Sequence, residues 1–195
     1  MTGPAPPVVL VMPAAAPRPE LEAMLGAGRA GELRAELHAR ARAFADRIAG
    51  QGCHTASAGA SLSEEVEQAW GAEDATVLLV VWPEVVRLGQ GHAAGALEDL
   101  AFGADVVFGP VIDGGLYLLG LRQPFPNILR SLDESLESDD PGPLGLAAAS
   151  AMGLEIGLLR VERGLHSASD VEAALADPLT PEDIRRILSG ADRDL

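Results

Sequence analysis

The clearest candidate for chemistry in the chain is a carboxylate followed by two glycines: Asp113, Gly114 and Gly115. They lie in the segment Gly109-Pro-Val-Ile-Asp-Gly-Gly-Leu-Tyr-Leu-Leu-Gly-Leu-Arg122. A carboxylate can hold a divalent cation or accept hydrogen bonds from a sugar hydroxyl. The neighbouring glycines let the backbone approach a ligand closely or adopt a positive φ. The segment therefore predicts a ligand site in which Asp113 does the chemistry.

A hairpin explains the same residues without any ligand. Asp-Gly between two apolar runs is the strongest short-range hairpin signal, and apolar runs at 105–108 and 116–121 flank this one. If 105–108 is a strand of an open α/β sheet, its carboxyl end delivers Asp113 to the edge where ligands bind. Spacing alone leaves both interpretations open, and both can hold together.

Two further residues are candidates for substrate contacts. His166 lies in the loop sequence Gly-Leu-His-Ser-Ala-Ser, which we expect near the same site. Trp82 ends the apolar run at 76–82 and could stack on a nucleobase or sugar, although a core or interface position is the more frequent explanation of a tryptophan there. Cys53 and His54 are not expected to form a nucleophile pair, because adjacent residues on a strand point to opposite faces.

Composition excludes several classes of protein. The 195 residues, 48% of them hydrophobic, suit a single domain with a substantial core. A formal charge of −15 argues against a nucleic-acid binder or an anionic-membrane binder. All 14 basic residues are arginine, which excludes a Schiff-base lysine and a P-loop lysine. The glycines at 89 and 91 are too few for a dinucleotide-binding fingerprint.

Targeting signals are weak throughout. The first residues lack the basic region of a signal peptide, and the longest apolar run, 75–83, is too short to span a bilayer. The single cysteine, Cys53, cannot form an internal disulfide. We therefore expect a soluble cytoplasmic protein, in which a protein partner or homo-oligomer is possible.

The predicted elements alternate between strand and helix. Apolar runs predict strands at 8–12, 53–57, 76–82, 105–108, 116–121 and 154–159. Apolar spacings of three and four predict helices at 20–25, 30–48, 61–70, 92–102, 125–132, 144–152, 171–175 and 181–188, with Thr180 as the N-cap of the last and an acidic loop at 134–143. This order predicts one α/β domain over 1–195, a three-layer α/β/α sandwich with a mostly parallel, mixed sheet. Residues 1–7 and 189–195 are expected to be a flexible leader and tail.

The run at 109–122 resembles the motif G-P-x-x-D-G-G-Y-Y-L-L-G-L of a bacterial family of glycosyltransferases in the nucleotide-diphospho-sugar transferase superfamily. That family has a glycosyltransferase-A-like fold, related to the molybdenum-cofactor and phospholactate nucleotidyltransferases. The order of elements is similar from the first strand to Asp170. The resemblance implies that Asp113, Gly114, Gly115 and Tyr117 lie in the donor or acceptor pocket, with Leu116 replacing the first tyrosine of the motif.

The resemblance also implies carboxylates that hold a metal-bound nucleotide. The family has an Asp-x-Pro step after its central strand, but Val81 stands where that aspartate would be, so Glu84 is the substitute. The step at Asp170 resembles an Asp-Val-Asp step that can supply another metal-facing carboxylate. Because one carboxylate rarely holds Mg²⁺ alone, Asp113, Glu84 and Asp170 form the predicted set for Mg²⁺ or Mn²⁺.

Other features depart from the family. Its first strand leads into a loop rich in Lys, Thr and Arg, whereas the loop here has Arg18 as its one basic residue. The stretch between the long helix and residue 76 is short, so a strand of the sheet is expected to be missing.

Three functions remain open. The first is a metal-assisted glycosyltransferase that transfers a sugar from a nucleotide-diphosphate donor to an unknown acceptor. The second is a catalytically degenerate member of the fold, a pseudoenzyme that acts as a binding or scaffold protein, which the departures at Val81 and Arg18 favour. The third is a nucleotidyltransferase, whose triphosphate substrate would require more cations than this loop supplies.

Overall fold

A computed structural model of the chain describes residues 7–15, 18–49, 52–72, 75–136 and 141–190. The described residues form six strands, which are β1 Val8–Val11, β2 Cys53–Thr55, β3 Leu78–Val81, β4 Val106–Pro110, β5 Leu116–Leu121 and β6 Ile156–Leu158. They also form eight helices, which are α1 Pro19–Leu25, α2 Ala27–Ala49, α3 Leu62–Ala72, α4 Gln90–Ala101, α5 Pro126–Leu136, α6 Pro141–Ala151, α7 Ala168–Ala176 and α8 Glu182–Ser189. Most of the predicted leader, most of the predicted tail and the centre of the acidic loop lie outside the described residues.

The strands form one mixed sheet in the order β2-β1-β3-β5-β4-β6. Strand β5 runs antiparallel to both of its neighbours, while β1 pairs in parallel with β2 and β3, and β4 with β6. The central strands are apolar on both faces because helices cover both faces. The predicted α/β class and the mostly parallel, mixed sheet are confirmed.

Two apolar layers enclose the sheet. On one face, side chains of α3 and α5, among them Leu62, Val66 and Ile128, pack against Leu78 and Val80 of β3. On the other face, α2 and α4 pack against Leu79 and Val81, and the alternation along β3 sends successive residues to opposite layers. A third cluster joins α1 and the first half of α2 to α7 and α8. None of the helices in the described part of the chain combines the length and apolarity needed to cross a bilayer.

The strand predicted at 53–57 is present as β2, three residues long. Two other expectations about local structure were wrong. The acidic loop predicted at 134–143 is shorter, because α5 continues to Leu136 and α6 begins at Pro141. Prolines are tolerated there because the first turn of a helix lacks intrahelical acceptors for its N–H groups. Thr180 does not cap α8: Pro181 occupies the N-cap position, and no side chain caps the helix.

The N-terminus of α3 is capped from another helix. The carboxylate of Asp133 on α5 accepts hydrogen bonds from the Ser61 hydroxyl (2.9 Å), the Ser63 hydroxyl (2.6 Å) and the backbone N–H groups of Leu62 (2.6 Å) and Ser63 (3.1 Å). Burial alone would raise the pKa of Asp133, but these hydrogen bonds outweigh it and lower the pKa. A negative charge at the helix N-terminus also opposes the helix dipole favourably.

We predict that Asp133→Ala lowers the free energy of unfolding by about 1–2 kcal/mol, as the loss of a helix cap does. Because the folded-state pKa lies below the ordinary value of 3.8, this stabilisation is present above that pH and is lost as the pH falls through the folded-state pKa. Denaturant titrations should therefore show the difference from wild type narrowing in acid. Glu134→Ala, an exposed acid one residue along, is the matched control. An equal loss in both variants would contradict the assignment.

Candidate functional site

Four polar side chains meet beyond the carboxyl ends of the parallel strands. Arg18 follows β1, Glu84 follows β3, Asp113 follows β4 and His166 follows β6. Ligands of open α/β sheets bind at this edge, in the crevice outside the strand ends. These four residues are called the edge cluster below.

Asp113 is the centre of the edge cluster. Its Oδ2 atom contacts His166 Nδ1 and lies 3.2 Å from the Arg18 guanidinium. Its Oδ1 atom is buried and has no hydrogen-bond partner among the described residues. An ionised carboxylate only accepts hydrogen bonds, so we assign the imidazole proton to Nδ1, which leaves the Nε2 lone pair of a neutral His166 available. A buried carboxylate oxygen without a donor is a place where a donor from a ligand, such as a hydroxyl, would be stabilised.

Glu84 completes the cluster at a greater distance. Its Oε2 atom lies 3.6 Å from His166 Nε2, which is too long for a hydrogen bond. Burial raises the pKa of Glu84, the charge of Asp113 raises it further, and His166 and Arg18 lower it. A Cβ atom on Gly115 would lie 3.1 Å from Oε2, so the second glycine of the pair makes room for this carboxyl.

The segment with the paired glycines is both a hairpin turn and part of the cluster. Val111 N donates to Gly115 O (2.8 Å), and Gly114 N donates to Val111 O (3.0 Å). Gly114 has a φ of 91°, a conformation that favours glycine. The hairpin between β4 and β5 is thus confirmed. It places Asp113 at the carboxyl edge beside Glu84 and His166, where the ligand site predicted from the sequence would lie. The hairpin therefore does not exclude that site.

A backbone ladder brings His166 to the hairpin. The chain leaves β6 and runs beside β4 and the turn before reaching the residues that follow β3. The bonds that hold it are Leu159 N to Phe108 O (2.9 Å), Glu162 N to Pro110 O (3.0 Å), Ile112 N to Glu162 O (2.9 Å) and Leu165 N to Glu84 O (3.2 Å). His166 and Asp113 are 53 residues apart in sequence, and this ladder makes them neighbours.

Asp170 supports His166 from behind. Its carboxylate accepts hydrogen bonds from the backbone N–H of His166 (3.2 Å) and from the N–H (3.0 Å) and hydroxyl (2.7 Å) of Ser167, and it pairs with Arg163 (2.9 Å). Burial would raise the pKa of Asp170, but these donors outweigh it and lower the pKa. The structure thus uses Asp170 to cap α7 rather than to face Asp113 and Glu84.

The side chains in the described part of the chain do not by themselves form a metal site. Among the described residues, no group of three His, Cys, Asp or Glu side chains is arranged to hold a cation. Asp113 Oδ1 is free to accept, but Oδ2 already contacts Arg18 and His166. A cation could be held here only with several oxygen ligands supplied by a substrate.

Two predicted substrate contacts lie in the core instead. Tyr117 is fully buried, stacks edge-on against His92 with ring centroids 5.1 Å apart, and donates its hydroxyl to Arg160 O (3.1 Å). Burial raises the pKa of Tyr117 to about 12. Trp82 is 6% exposed and packs with Met12 in the opposite layer. Neither side chain belongs to the edge cluster.

Sequence reasoning did not assign a role to two arginines near the site. Arg18 was noted only as a departure from a basic loop, yet it pairs with Asp113. Arg34, on α2, donates to Ala14 O (2.9 Å) and so holds the loop that follows β1. Arg18 could have been found as the one cation after the first strand. No spacing signal marks Arg34, because helix packing alone brings it to this loop.

A family model described as "Uncharacterized protein conserved in bacteria (DUF2064)" matches residues 23–135, more than half of the chain. The chain belongs to the DUF2064 family. The match includes the hairpin with Asp113, Gly114 and Gly115 but ends before His166. No curated protein sequence matches the chain.

Three solved structures are similar to this chain to different degrees. A "putative nucleotide-diphospho-sugar transferase" from Desulfovibrio desulfuricans G20 is similar over 94% of both chains, with a TM-score of 0.71 and 16% identity. The bifunctional IspDF of Campylobacter jejuni has a TM-score of 0.43 at 14% identity, over 85% of this chain and 53% of its own. The 2-C-methyl-D-erythritol 4-phosphate cytidylyltransferase of Thermus thermophilus has a TM-score of 0.42 at 17% identity, over 84% of this chain and 95% of its own. The DUF2064 chain therefore shares the fold of the first of these proteins.

We predict that Glu84→Gln raises the melting temperature at neutral pH. The raised pKa means that folded Glu84 keeps its proton to a higher pH than in the unfolded chain, so stability falls as the pH rises from 4.5 to the folded-state pKa. The amide of the glutamine variant does not ionise and so avoids this loss of stability. Each kcal/mol of stability gained raises the melting temperature by about 2–4 °C in a chain of this size. The gain should vanish below pH 4.5.

Calorimetry at several pH values measures this difference. Glu182→Gln is the control, because its side chain is 83% exposed. A Glu84→Gln variant that is less stable than wild type at neutral pH would show that the ionised carboxylate stabilises the fold.

Proposed function

We propose that this DUF2064 protein is a nucleotide-sugar-dependent glycosyltransferase whose donor and acceptor meet at the edge cluster. The observation that carries the proposal is the Asp113–His166 pair at the carboxyl edge of the sheet, with Asp113 Oδ1 lacking a donor. The shared fold with a "putative nucleotide-diphospho-sugar transferase" supports the substrate class. Fold alone does not establish activity, and any chemistry at this edge depends on the side chains of the edge cluster.

In this proposal His166 is the general base. The acceptor hydroxyl oxygen attacks the anomeric carbon of the donor, its proton passes to His166 Nε2, and the bond from that carbon to the diphosphate oxygen breaks. The electron pair of the broken bond leaves with the diphosphate. Asp113 accepts the Nδ1 proton of His166 in a hydrogen bond, which orients the ring and stabilises the imidazolium that forms. Asp113 is thus a positioning residue whose free Oδ1 can also accept a hydrogen bond from a sugar hydroxyl.

Arg18 is the proposed contact for the diphosphate. Its guanidinium side chain is 43% exposed and keeps donors beyond the one directed at Asp113. A fixed cation near the departing oxygen stabilises the charge that develops there. The described residues do not themselves build a metal site. A Mg²⁺ or Mn²⁺ ion that came with the diphosphate would take most of its ligands from the substrate and would neutralise charge on the leaving group.

A non-catalytic binding protein is the second candidate. Val81 ends β3 where the resembled family has an aspartate, and Arg18 is the one basic residue of the loop after β1. Both features reduce the charge available to activate a leaving group, while they leave the hydrogen-bonding groups of the edge cluster intact. This candidate predicts binding of a nucleotide sugar without turnover. A nucleotidyltransferase would bring a triphosphate to the same single arginine, which makes it the weakest of the three.

We predict that His166→Gln lowers kcat by about 10²–10⁴-fold, the usual contribution of a general base, while donor affinity changes little. Coupled detection of released nucleoside diphosphate, over a panel of nucleotide sugars and acceptors with and without Mn²⁺, measures the effect. Arg47→Gln is the control, since Arg47 lies on the last turn of α2, at the opposite edge of the sheet. Donor binding by wild type without turnover of any acceptor would support the binding protein instead.

We predict that Arg18→Gln weakens binding of a nucleotide sugar about tenfold, the value of one charge-assisted hydrogen bond. Isothermal titration with the donor and with its nucleoside monophosphate separates the diphosphate contact from the rest, because the monophosphate should be less affected. Failure of wild type to bind any nucleotide sugar, with or without Mg²⁺ or Mn²⁺, would refute both the transferase and the nucleotide-sugar-binding candidate.

A further inference from the structure

A separate cavity of about 180 Å³ lies behind the segment that carries His166. Its walls come from the loop after β3, from residues 162–165, from α7 and from the turn before α8. None of the four residues of the edge cluster lines it. The volume equals about six times the 30 Å³ share of a water molecule in the liquid, which is enough for a small organic ligand.

Thr180 is the unexplained residue of this cavity. It is a wall residue and is only 6% exposed. Its backbone N–H donates to Asp177 O (3.0 Å), and its carbonyl accepts from Arg185 (3.4 Å). Its hydroxyl does not cap α8 and has no hydrogen-bond partner among the residues that the structure describes. On a side chain that lines the cavity and is only 6% exposed, such a hydroxyl is available to a ligand or water inside the cavity.

Each charged residue in the cavity wall already has an ionic partner. Arg163 pairs with Asp170 (2.9 Å), and Arg87 pairs with Asp177 (3.4 Å). Glu162, the remaining charged wall residue, is held by His92 (2.9 Å) and by Arg160. A charged ligand would have to break one of these pairs, whereas the hydroxyl groups of a neutral ligand can bond to the outer lone pairs and N–H groups of the intact pairs.

Apolar groups fill the rest of the wall. Val86, Leu165, Ala173 and Ala174 line the cavity between the polar groups. Such a lining suits the C–H surface of a compact polyhydroxylated molecule, whose hydroxyls bond at the rim while its carbons contact methyl groups.

We propose that this cavity, here called the Thr180 cavity, binds a small uncharged polyhydroxylated ligand of glycerol to monosaccharide size, with the Thr180 hydroxyl as a direct hydrogen-bond partner. The site is independent of the transfer reaction proposed at the edge cluster. Its occupant bonds to the paired charges without separating them. The ligand would also bridge residues 162–165 to α7 and to the turn before α8. Asp170 of α7 accepts the backbone N–H of His166.

The test uses the full chain and four probes: glycerol, myo-inositol, D-glucose and, as a charged comparator, inorganic phosphate. Amide shift changes in ¹H–¹⁵N NMR spectra report both affinity and location. We expect the polyols to bind with shifts centred on residues 162–165 and 173–180, and phosphate to leave these amides unchanged. Binding of phosphate alone, polyol shifts centred on Asp113 and His166, or the absence of any polyol effect at millimolar concentration would overturn the proposal.

Matched variants test the role of the hydroxyl. Thr180→Val keeps the shape of the side chain and should raise the polyol Kd about tenfold through the loss of one hydrogen bond. Thr180→Ser keeps the hydroxyl and should bind the polyol with an affinity close to that of wild type. Ala174→Leu should abolish binding by filling the cavity. Thr76→Val, at an exposed threonine before β3, is the control, and thermal melts check that each variant is folded. Unchanged affinity in Thr180→Val, or in a folded Ala174→Leu variant, would also refute the proposal.

His166→Gln separates this proposal from the proposed function. It should leave polyol binding at the Thr180 cavity intact even though it removes the base at the edge cluster. Loss of turnover with retained polyol binding would support both conclusions. Polyol binding in a chain that never turns over a nucleotide sugar would support the Thr180 cavity alone.

Discussion

The backbone hydrogen bonds between residues 159–165 and the β4–β5 hairpin determine where the candidate site lies. They hold the irregular segment at 159–165 against the turn, and a further bond from Leu165 N to Glu84 O attaches it to the loop after β3. Without them, Asp113 would close a solvent-facing hairpin, and His166 would lie on an unattached loop. Backbone groups that leave the solvent must find partners, so this pairing satisfies the segment and positions a functional group in one step.

The buried acidic groups of the edge cluster lower the stability of the folded state. Glu84 is buried beside Asp113, two acids that repel, and burial raises its pKa. Asp113 Oδ1 lacks a donor among the described residues. The Asp133 carboxylate, by contrast, accepts hydrogen bonds from Ser61, Leu62 and Ser63, and these bonds lower its pKa. Groups kept in an unfavourable environment are typical of functional sites, whereas fully satisfied carboxylates are typical of structural ones. By this criterion Asp170 is structural, although its acidity and position suggested a ligand.

The shared fold places the cluster in a known type of scaffold but does not carry its chemistry. At 16% identity the similarity to the solved transferase-like structure concerns the path of the backbone. The motif that resembles a glycosyltransferase family is intact at Asp113, Gly114 and Gly115, and the chain departs from the motif's surroundings at Val81 and Arg18. His166 lies outside the part matched by the family model, and its ring contacts Asp113.

The sequence by itself determined the α/β class, the strands and most helices, because continuous apolar runs and helical periodicity are local properties of a chain. It also located Asp113 and its glycines and named His166 as a neighbour. Only the tertiary structure decided that Asp170 caps α7, that Tyr117 lies in the core, and that Arg18 and Glu84 join Asp113. It also showed that Thr180 does not cap α8. Those outcomes depend on which side of the sheet a residue reaches and on partners tens of residues away, and no local pattern encodes that long-range packing.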